Sequence, residues 1–360
     1  MLWGAALLGQ GETLAQPGLD LHRGTVAATG VLSDAHRVRQ VGGGVHHPGG
    51  RSPASVLGTV LPRIQCALGY TATVHVTGLA LPDGLAFNPD GVLYVAEESG
   101  GRVSQVGPGG VITPVLAGLR NPEGIAFDDA GNLYVVEDIG AGRLIKRTPE
   151  GVITTLAVDL EAPEGVAWGP DDLVYVSESN LQFETNPLEV HSRIAAVSSS
   201  GVVSRIITST PMIVDTNVTF WSYAGLVFGS DGLLYVANEL SGREEPLGSF
   251  TLFTTDSVFT VDPVSGSRAL LASDLVAPEG LRFSAGGGFP LYVVEEDIGG
   301  GAGRLSRIMS DGSHLTMCTG FLSIEDVAVF QGALYISEDG SGLIIQIKPT
   351  RQVWLPLVLR

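Results

Sequence analysis

Between about residues 70 and 350 the chain is a succession of short apolar runs separated by turn chemistry. A typical stretch is Leu133-Tyr134-Val135-Val136-Glu137, preceded by Asp128-Asp129-Ala130-Gly131-Asn132. Runs of this length, rich in β-branched and aromatic residues and bounded by Gly, Asn and Asp, predict strands and tight turns. No longer stretch shows the 3.6-residue period of an amphipathic helix.

The runs are copies of one another. Leu81-Pro82-Asp83-Gly84-Leu85-Ala86-Phe87 returns as Asn121-Pro122-Glu123-Gly124-Ile125-Ala126-Phe127 and as Ala162-Pro163-Glu164-Gly165-Val166-Ala167-Trp168. It returns again as Ala277-Pro278-Glu279-Gly280-Leu281-Arg282-Phe283, with weaker copies at Tyr223-Ala224-Gly225-Leu226-Val227-Phe228 and Ile324-Glu325-Asp326-Val327-Ala328-Val329. Each is followed by a strand centred on Tyr94, Tyr134, Tyr175, Tyr235, Tyr292 or Tyr335, and then by two more strand signals. Four short strands in a unit of roughly 40 residues is the pattern of a propeller blade. The expected fold is an all-β, six-bladed β-propeller with four antiparallel strands per blade.

The ends of the array predict how the ring closes. The sixth copy stops after its third strand, and the segment 71–79 ahead of the first copy resembles the fourth strand at 152–160. Pairing the two leaves no open sheet edge. The expected organisation is one propeller over 65–350, a flexible or removed leader over 1–64, and an apolar tail over 351–360. Four leader histidines (His22, His36, His46, His47) are spaced too irregularly to read as a metal site.

Composition narrows the function. Residues 1–64 carry five arginines against Glu12, Asp20 and Asp34, whereas the remainder holds 15 basic and 35 acidic residues. So acidic a body repels nucleic acid and anionic lipid and favours cations. No apolar run is long enough to span a bilayer. The apolar patch near the start lacks preceding basic residues, so it is a poor secretion signal. Cys66 and Cys318 fit either one bridge in an exported protein or two separate thiols. The compartment stays open, with an extracellular or periplasmic location favoured.

Candidate chemistry lies in the acids of the repeat. If Phe127 faces Leu133 across the hairpin, Glu123 faces Glu137. The same register pairs Asp83 with Glu97, Glu164 with Glu178, Glu279 with Glu295 and Glu325 with Glu338. The fourth copy has Ala224 and Asn238 instead. First strands line the channel of a propeller, so Asp83, Glu123, Glu164, Glu279 and Glu325 are expected to converge at one mouth. Glu97, Glu137, Glu178, Asn238, Glu295 and Glu338 are expected to form a second shell behind them. Crowded carboxylates repel one another unless a cation intervenes. Hard oxygen donors without His or Cys suit Ca²⁺. Three long segments, at 180–192, 209–221 and 240–250, read as loops that rise on the same side as a wall or lid. His191, in the first of them, is a candidate general base. Arg143, Arg193 and Arg304 open third strands and are expected to pair with neighbouring acids. No G-x-S-x-G nucleophile elbow is present, and glycine runs such as Gly299-Gly300-Gly301 lack the following helix of a phosphate cradle.

The pattern Pro122-Glu123-Gly124-Ile125-Ala126-Phe127, then Gly131-Asn132-Leu133-Tyr134-Val135, then Gly142-Arg143-Leu144, resembles the NHL-repeat and SMP-30/gluconolactonase-like propellers. Streptogramin lyases carry similar repeats. The resemblance covers residues 70–350. It implies a divalent cation, usually Ca²⁺, held at the channel mouth by first-strand residues, where it polarises a lactone or ester carbonyl. Here the matching positions are Asp83, Glu123, Glu164, Glu279 and Glu325. Blade four departs from the pattern with Ala224, leaving Asn238 and Asn217 as substitutes, and the histidines of paraoxonases and of the lyases have no counterpart. Two functions follow. One is a Ca²⁺-dependent lactonase or esterase in which Glu123 or Glu164 activates water. The other is a non-catalytic propeller whose acidic mouth and long loops bind a ligand or protein partner.

Overall fold

The computed structural model describes residues 26–28, 57–182, 189–209, 212–214, 217–245, 249–252, 256–296 and 302–350. The tail over 351–360 and most of the leader lie outside the described residues. Within them the chain forms six antiparallel sheets whose innermost strands meet one another in sequence around a ring. No helix among the described residues is long and apolar enough to cross a membrane.

Blade two shows why the repeat folds as it does. Its strands are Pro122–Phe127, Leu133–Glu137, Gly142–Arg147 and Ile153–Leu160, from the channel outwards. Ile125, Leu133, Val135 and Ile145 on one face pack with Ala96, Val103 and Leu116 of blade one. Tyr134, Val136, Leu144 and Ala157 on the other face pack with Val166, Val174 and Val176 of blade three. Each blade is thus apolar on both faces, which explains runs that are nearly continuous rather than alternating. The 128–132 turn is closed by Asp128, whose carboxylate accepts from the Ala130 and Asn132 N–H groups and from the Tyr134 hydroxyl.

Ring closure follows the expected pairing. The strand Tyr70–Thr77 lies beside Leu343–Pro349, with Leu343 opposite Thr77 and Ile347 opposite Ala72, and completes blade six. Residues just before it, most of them expected in the leader, pack on the ring as well. Gly58 N–H donates to Val74 O, Ile64 is buried, and Cys66 is bonded to Cys318 on the outer strand of blade five.

Two expectations are corrected. The hairpin register holds from Phe127↔Leu133 to Ile125↔Val135 and then slips, so that Glu137 faces Pro122 rather than Glu123. The same irregularity sets Glu97 against Pro82, Glu178 against Pro163, Glu295 against Pro278 and Glu338 against Ile324. A bulge re-aims the side chains that follow it, and here it separates the two sets of acids. The long segments are also not irregular loops. They continue the hairpins: Val174–Gln182 pairs with Glu189–Val197 out to Gln182↔Glu189, and Asn217–Phe228 pairs with Leu234–Glu245 out to Thr219↔Arg243. Residues 183–188, 210–211, 215–216, 246–248 and 253–255 lie outside the described residues.

Candidate functional site

In five of the six blades the bulge of the first strand is built on a glycine; blade six has Asp326 there. A Cβ on Gly84 would sit 2.3 Å from Glu123 O, on Gly124 2.4 Å from Glu164 O, and on Gly225 2.6 Å from Glu279 O. Only glycine lets the inner strands approach so closely. The residue before each glycine is thereby turned to the channel mouth. Asp83, Glu164, Glu279 and Glu325 line one cavity of about 50 Å³, walled lower down by Gly84, Gly124, Gly165, Gly225 and Gly280. Glu123 occupies the equivalent place in blade two and is almost wholly buried.

Blade four, which has Ala224 at this position, supplies its carboxylate from elsewhere. Glu239, midway along its second strand Leu234–Glu245, is buried and accepts a hydrogen bond from Ser222 Oγ at 2.8 Å. Carboxylate oxygens of Glu164, Glu239 and Glu279 all lie within 4.8 Å of one another. Glu296 holds the equivalent place in blade five, where Ser323 Oγ donates to it at 3.0 Å and lies 3.5 Å from Glu325. Three carboxylates so close are a hard, all-oxygen donor set that fits Ca²⁺ and offers nothing to a soft metal.

The second set of acids does different work. Glu97, Glu137, Glu178, Glu295 and Glu338 are buried, and each accepts the backbone N–H of the residue two places before its first strand. Each also meets an arginine: Arg102 on Glu97, Arg143 on Glu137, Arg205 on Glu178, Arg304 on Glu295 and Arg63 on Glu338. Burial works to raise the Glu97 carboxyl, but hydrogen bonds from Arg102, Ser104 and the Ala80 N–H outweigh it and hold it below the usual range. Glu137 is held down in the same way by Arg143 and the Arg120 N–H. These acids brace the loops that enter the mouth. The expected pairing of Arg143, Arg193 and Arg304 with neighbouring acids holds, Arg193 taking Glu161 at 2.6 Å. Asn238 replaces the glutamate in blade four, and its buried carboxamide oxygen has no hydrogen-bond partner among the described residues.

The floor of the cavity is where the repeat is broken twice. The column Ala86, Ala126, Ala167, Val227 and Ala328 is interrupted by Arg282, and the glycine column by Asp326. Arg282 leaves blade five and reaches Val327 O of blade six and Leu85 O of blade one, both at 3.4 Å. Asp326 accepts from Leu85 N–H at 2.8 Å and Val327 N–H at 2.7 Å. Its enclosure in the channel pushes the carboxyl up against the pull of Arg282 and of those N–H groups. Arg282 is the one basic side chain among the described residues that line the cavity.

The side chain of His191 lies outside the described residues, as does that of Asn217. Glu239, Arg282 and Asp326 escaped the sequence reading, although a signal was there. Glu239 falls in a column with Glu98, Asp138, Glu296 and Asp339, and the other two are the departures from small residues just described. Beside the mouth, the extended hairpins of blades three and four are laced together. Tyr223 N–H donates to Ser179 Oγ at 2.7 Å, and Ser192 Oγ donates to Trp221 O.

No protein-family model and no curated protein sequence matches the chain. Solved structures do. A gluconolactonase from Xanthomonas campestris superimposes with a TM-score of 0.61 at 16% identity, covering 84% of this chain and 99% of that one. A streptogramin B lyase gives 0.52 at 11% identity, over 79% and 100% of the two chains. The quinone-bound (PQQ) aldose sugar dehydrogenase of Streptomyces coelicolor gives 0.55 at 16%, over 79% and 99%. Three chemistries thus share the architecture, which supports the fold and leaves function to the residues of the site. The chain has the six-bladed propeller fold found in gluconolactonase and streptogramin lyase structures.

Proposed function

We propose that this propeller is a divalent-cation-dependent hydrolase of the lactonase or ester type, acting at the acidic mouth. The observation that carries the proposal is the cluster of Glu164, Glu239 and Glu279, whose carboxylate oxygens lie within 4.8 Å of one another, with Glu164 and Glu279 on the wall of the central cavity. These three would hold the cation, with Asp83 and Glu325 on the same wall. Calcium suits their chemistry best, and it would supply Lewis-acid polarisation of a carbonyl oxygen. Glu123 lies outside the cluster yet at the same level. In this proposal it would be the general base that takes a proton from water. Arg282 closes the floor and offers N–H donors to an oxygen of a ligand that reaches down the channel. A quinone cofactor with several carboxylates, as in the dehydrogenase neighbour, is disfavoured by the surrounding acids.

A second function, ligand or partner binding without catalysis, is favoured by one feature. The laced hairpins of blades three and four rise beside the mouth and give it a one-sided wall. Calorimetry and thermal melting of chelator-treated protein with added Ca²⁺, followed by a panel of small lactones and aryl esters, separate the two. The hydrolase proposal expects a calcium-dependent rise in melting temperature and turnover that chelator abolishes. Calcium binding without turnover leaves the binding function, and no response to calcium removes the cation from both.

A further inference from the structure

In four blades an arginine neutralises the buried glutamate of the second strand, but blade six has none of its own. Leu343 faces Glu338 where Arg102 faces Glu97 and Arg304 faces Glu295. The missing guanidinium comes from ahead of the propeller. Arg63 reaches both oxygens of Glu338, with Nη1 at 2.7 Å from Oε1, and Nη1 also donates to Gly320 O at 2.8 Å. The partnership spans 275 residues of sequence, and Glu338 is fully buried.

The segment that carries Arg63 is pinned at both ends. Upstream, Gly58 N–H donates to Val74 O and Leu61 N–H to Ala72 O, along the outer edge of blade six. Downstream, Gln65–Cys66 adds a short strand to blade five, and Cys66 is disulfide-bonded to Cys318 opposite it. Gly320 makes the passage possible, since a Cβ there would sit 2.1 Å from Arg63 O. The equivalent Gly118 of blade one has open space in that direction.

We propose that residues 57–66 are a redox-controlled latch, in which the Cys66–Cys318 bond holds Arg63 on Glu338. A dithiol reductant would break it with two electrons and two protons, leaving two thiols and becoming a cyclic disulfide itself. The segment is then held only by non-covalent contacts, namely a two-residue strand, a few edge hydrogen bonds, the Arg63–Glu338 pair and the burial of Ile64, against the entropy of ten freed residues. Once Arg63 leaves, Glu338 is a buried charge short of its cation. Glu338 also accepts from Leu322 N–H at 2.7 Å and from Ser341 Oγ. The latch is therefore felt at the turn that leads into Ile324–Phe330, the strand bearing Glu325 and Asp326. Such a bond persists in an oxidising compartment and opens in a reducing one.

Hydrogen exchange read by mass spectrometry tests this on the full chain, oxidised and after mild dithiothreitol, under conditions where the native circular dichroism is retained. Reduction should speed exchange at the Gly58, Leu61, Ala67 and Leu322 amides by roughly tenfold to a hundredfold, the scale of a lost hydrogen bond to a charged group. The double variant Cys66→Ser, Cys318→Ser should behave so without reductant. Arg63→Gln in the oxidised chain should speed Leu322 but leave Ala67 slow. Two free thiols in protein purified without reductant, or unchanged exchange on reduction, would overturn the latch. If the double variant does not fold, reduction of the native chain decides alone.

Discussion

Neighbouring carboxylates in this protein have opposite fates, decided by one backbone irregularity. Glu164 and Glu178 belong to the same hairpin, yet Glu164 lines the cavity and Glu178 is buried under Arg205. Glu164→Gln and Glu239→Gln should each cut the calcium-induced rise in melting temperature by more than half, while Glu97→Gln leaves the rise intact and lowers the starting temperature. Calorimetric titration of the three variants checks the division. The buried set also fixes an acid limit. The Glu97 and Glu137 carboxyls are held below their ordinary range, so their contribution is complete above about pH 4.3, the unfolded glutamate value. It is lost as pH falls through the lowered folded values. Denaturant midpoints measured from pH 7 to 3 should therefore fall most steeply at the acid end. Glu137→Ala should flatten that fall while costing about 2–3 kcal/mol at neutral pH, since buried donors lose their acceptor.

At the scale of the strand, the glycine column sets the diameter of the channel. Five of the six inner strands touch the next through glycine, so those blades converge until backbone meets backbone. Gly124→Ala would drive a methyl into Glu164 O and should cost about 2 kcal/mol or more, as overpacking does. Gly140→Ala, with open space around it, should be near neutral. Urea unfolding of both variants reads the difference. Asp326 occurs in this column at the one junction where its carboxylate finds two backbone N–H donors and a nearby guanidinium. The extended hairpins obey the same logic of strand continuation. Their inner ends tie blade three to blade four through Ser179 and Ser192, so the wall beside the mouth is anchored in the sheet rather than hung on it.

Over the whole molecule, blade six is the seam. It is held at its outer radius by the strand Tyr70–Thr77, by Arg63 on Glu338 and by the disulfide close by. At its inner radius Asp326 and Arg282 cross to blade one. Closing a ring joins elements far apart in sequence, which costs loop entropy before any contact repays it. Stability lost at the seam should therefore be lost by the whole ring. Ile345→Ala, at a fully buried position facing Val74, should cost about 2–5 kcal/mol as buried Ile→Ala changes do. It should lower a single unfolding transition seen alike by fluorescence and circular dichroism. A separate early transition for blade six would show that the ring opens before it melts.

What the sequence determined by itself was everything periodic. Four copies of Pro-acid-Gly, two weaker copies and six Tyr-centred strands specify six blades, because each run must bury both faces against the next. The unfinished sixth copy specifies closure by residues 71–79, because an unpaired edge is costly. Convergence of the first-strand acids on one mouth follows from the same symmetry. Only the tertiary structure decided what breaks the period. A one-residue bulge, invisible in the hydrophobic pattern, separates Glu123 from Glu137. Glu239 replaces a missing acid from a different strand, and Arg63 replaces a missing arginine from outside the repeat altogether. Arg282 and Asp326 find each other's neighbourhood across a blade boundary. Each of these depends on distances between residues remote in sequence. A local pattern records which side of a strand is apolar, whereas compensation for a missing charge can come from wherever the folded chain brings one near.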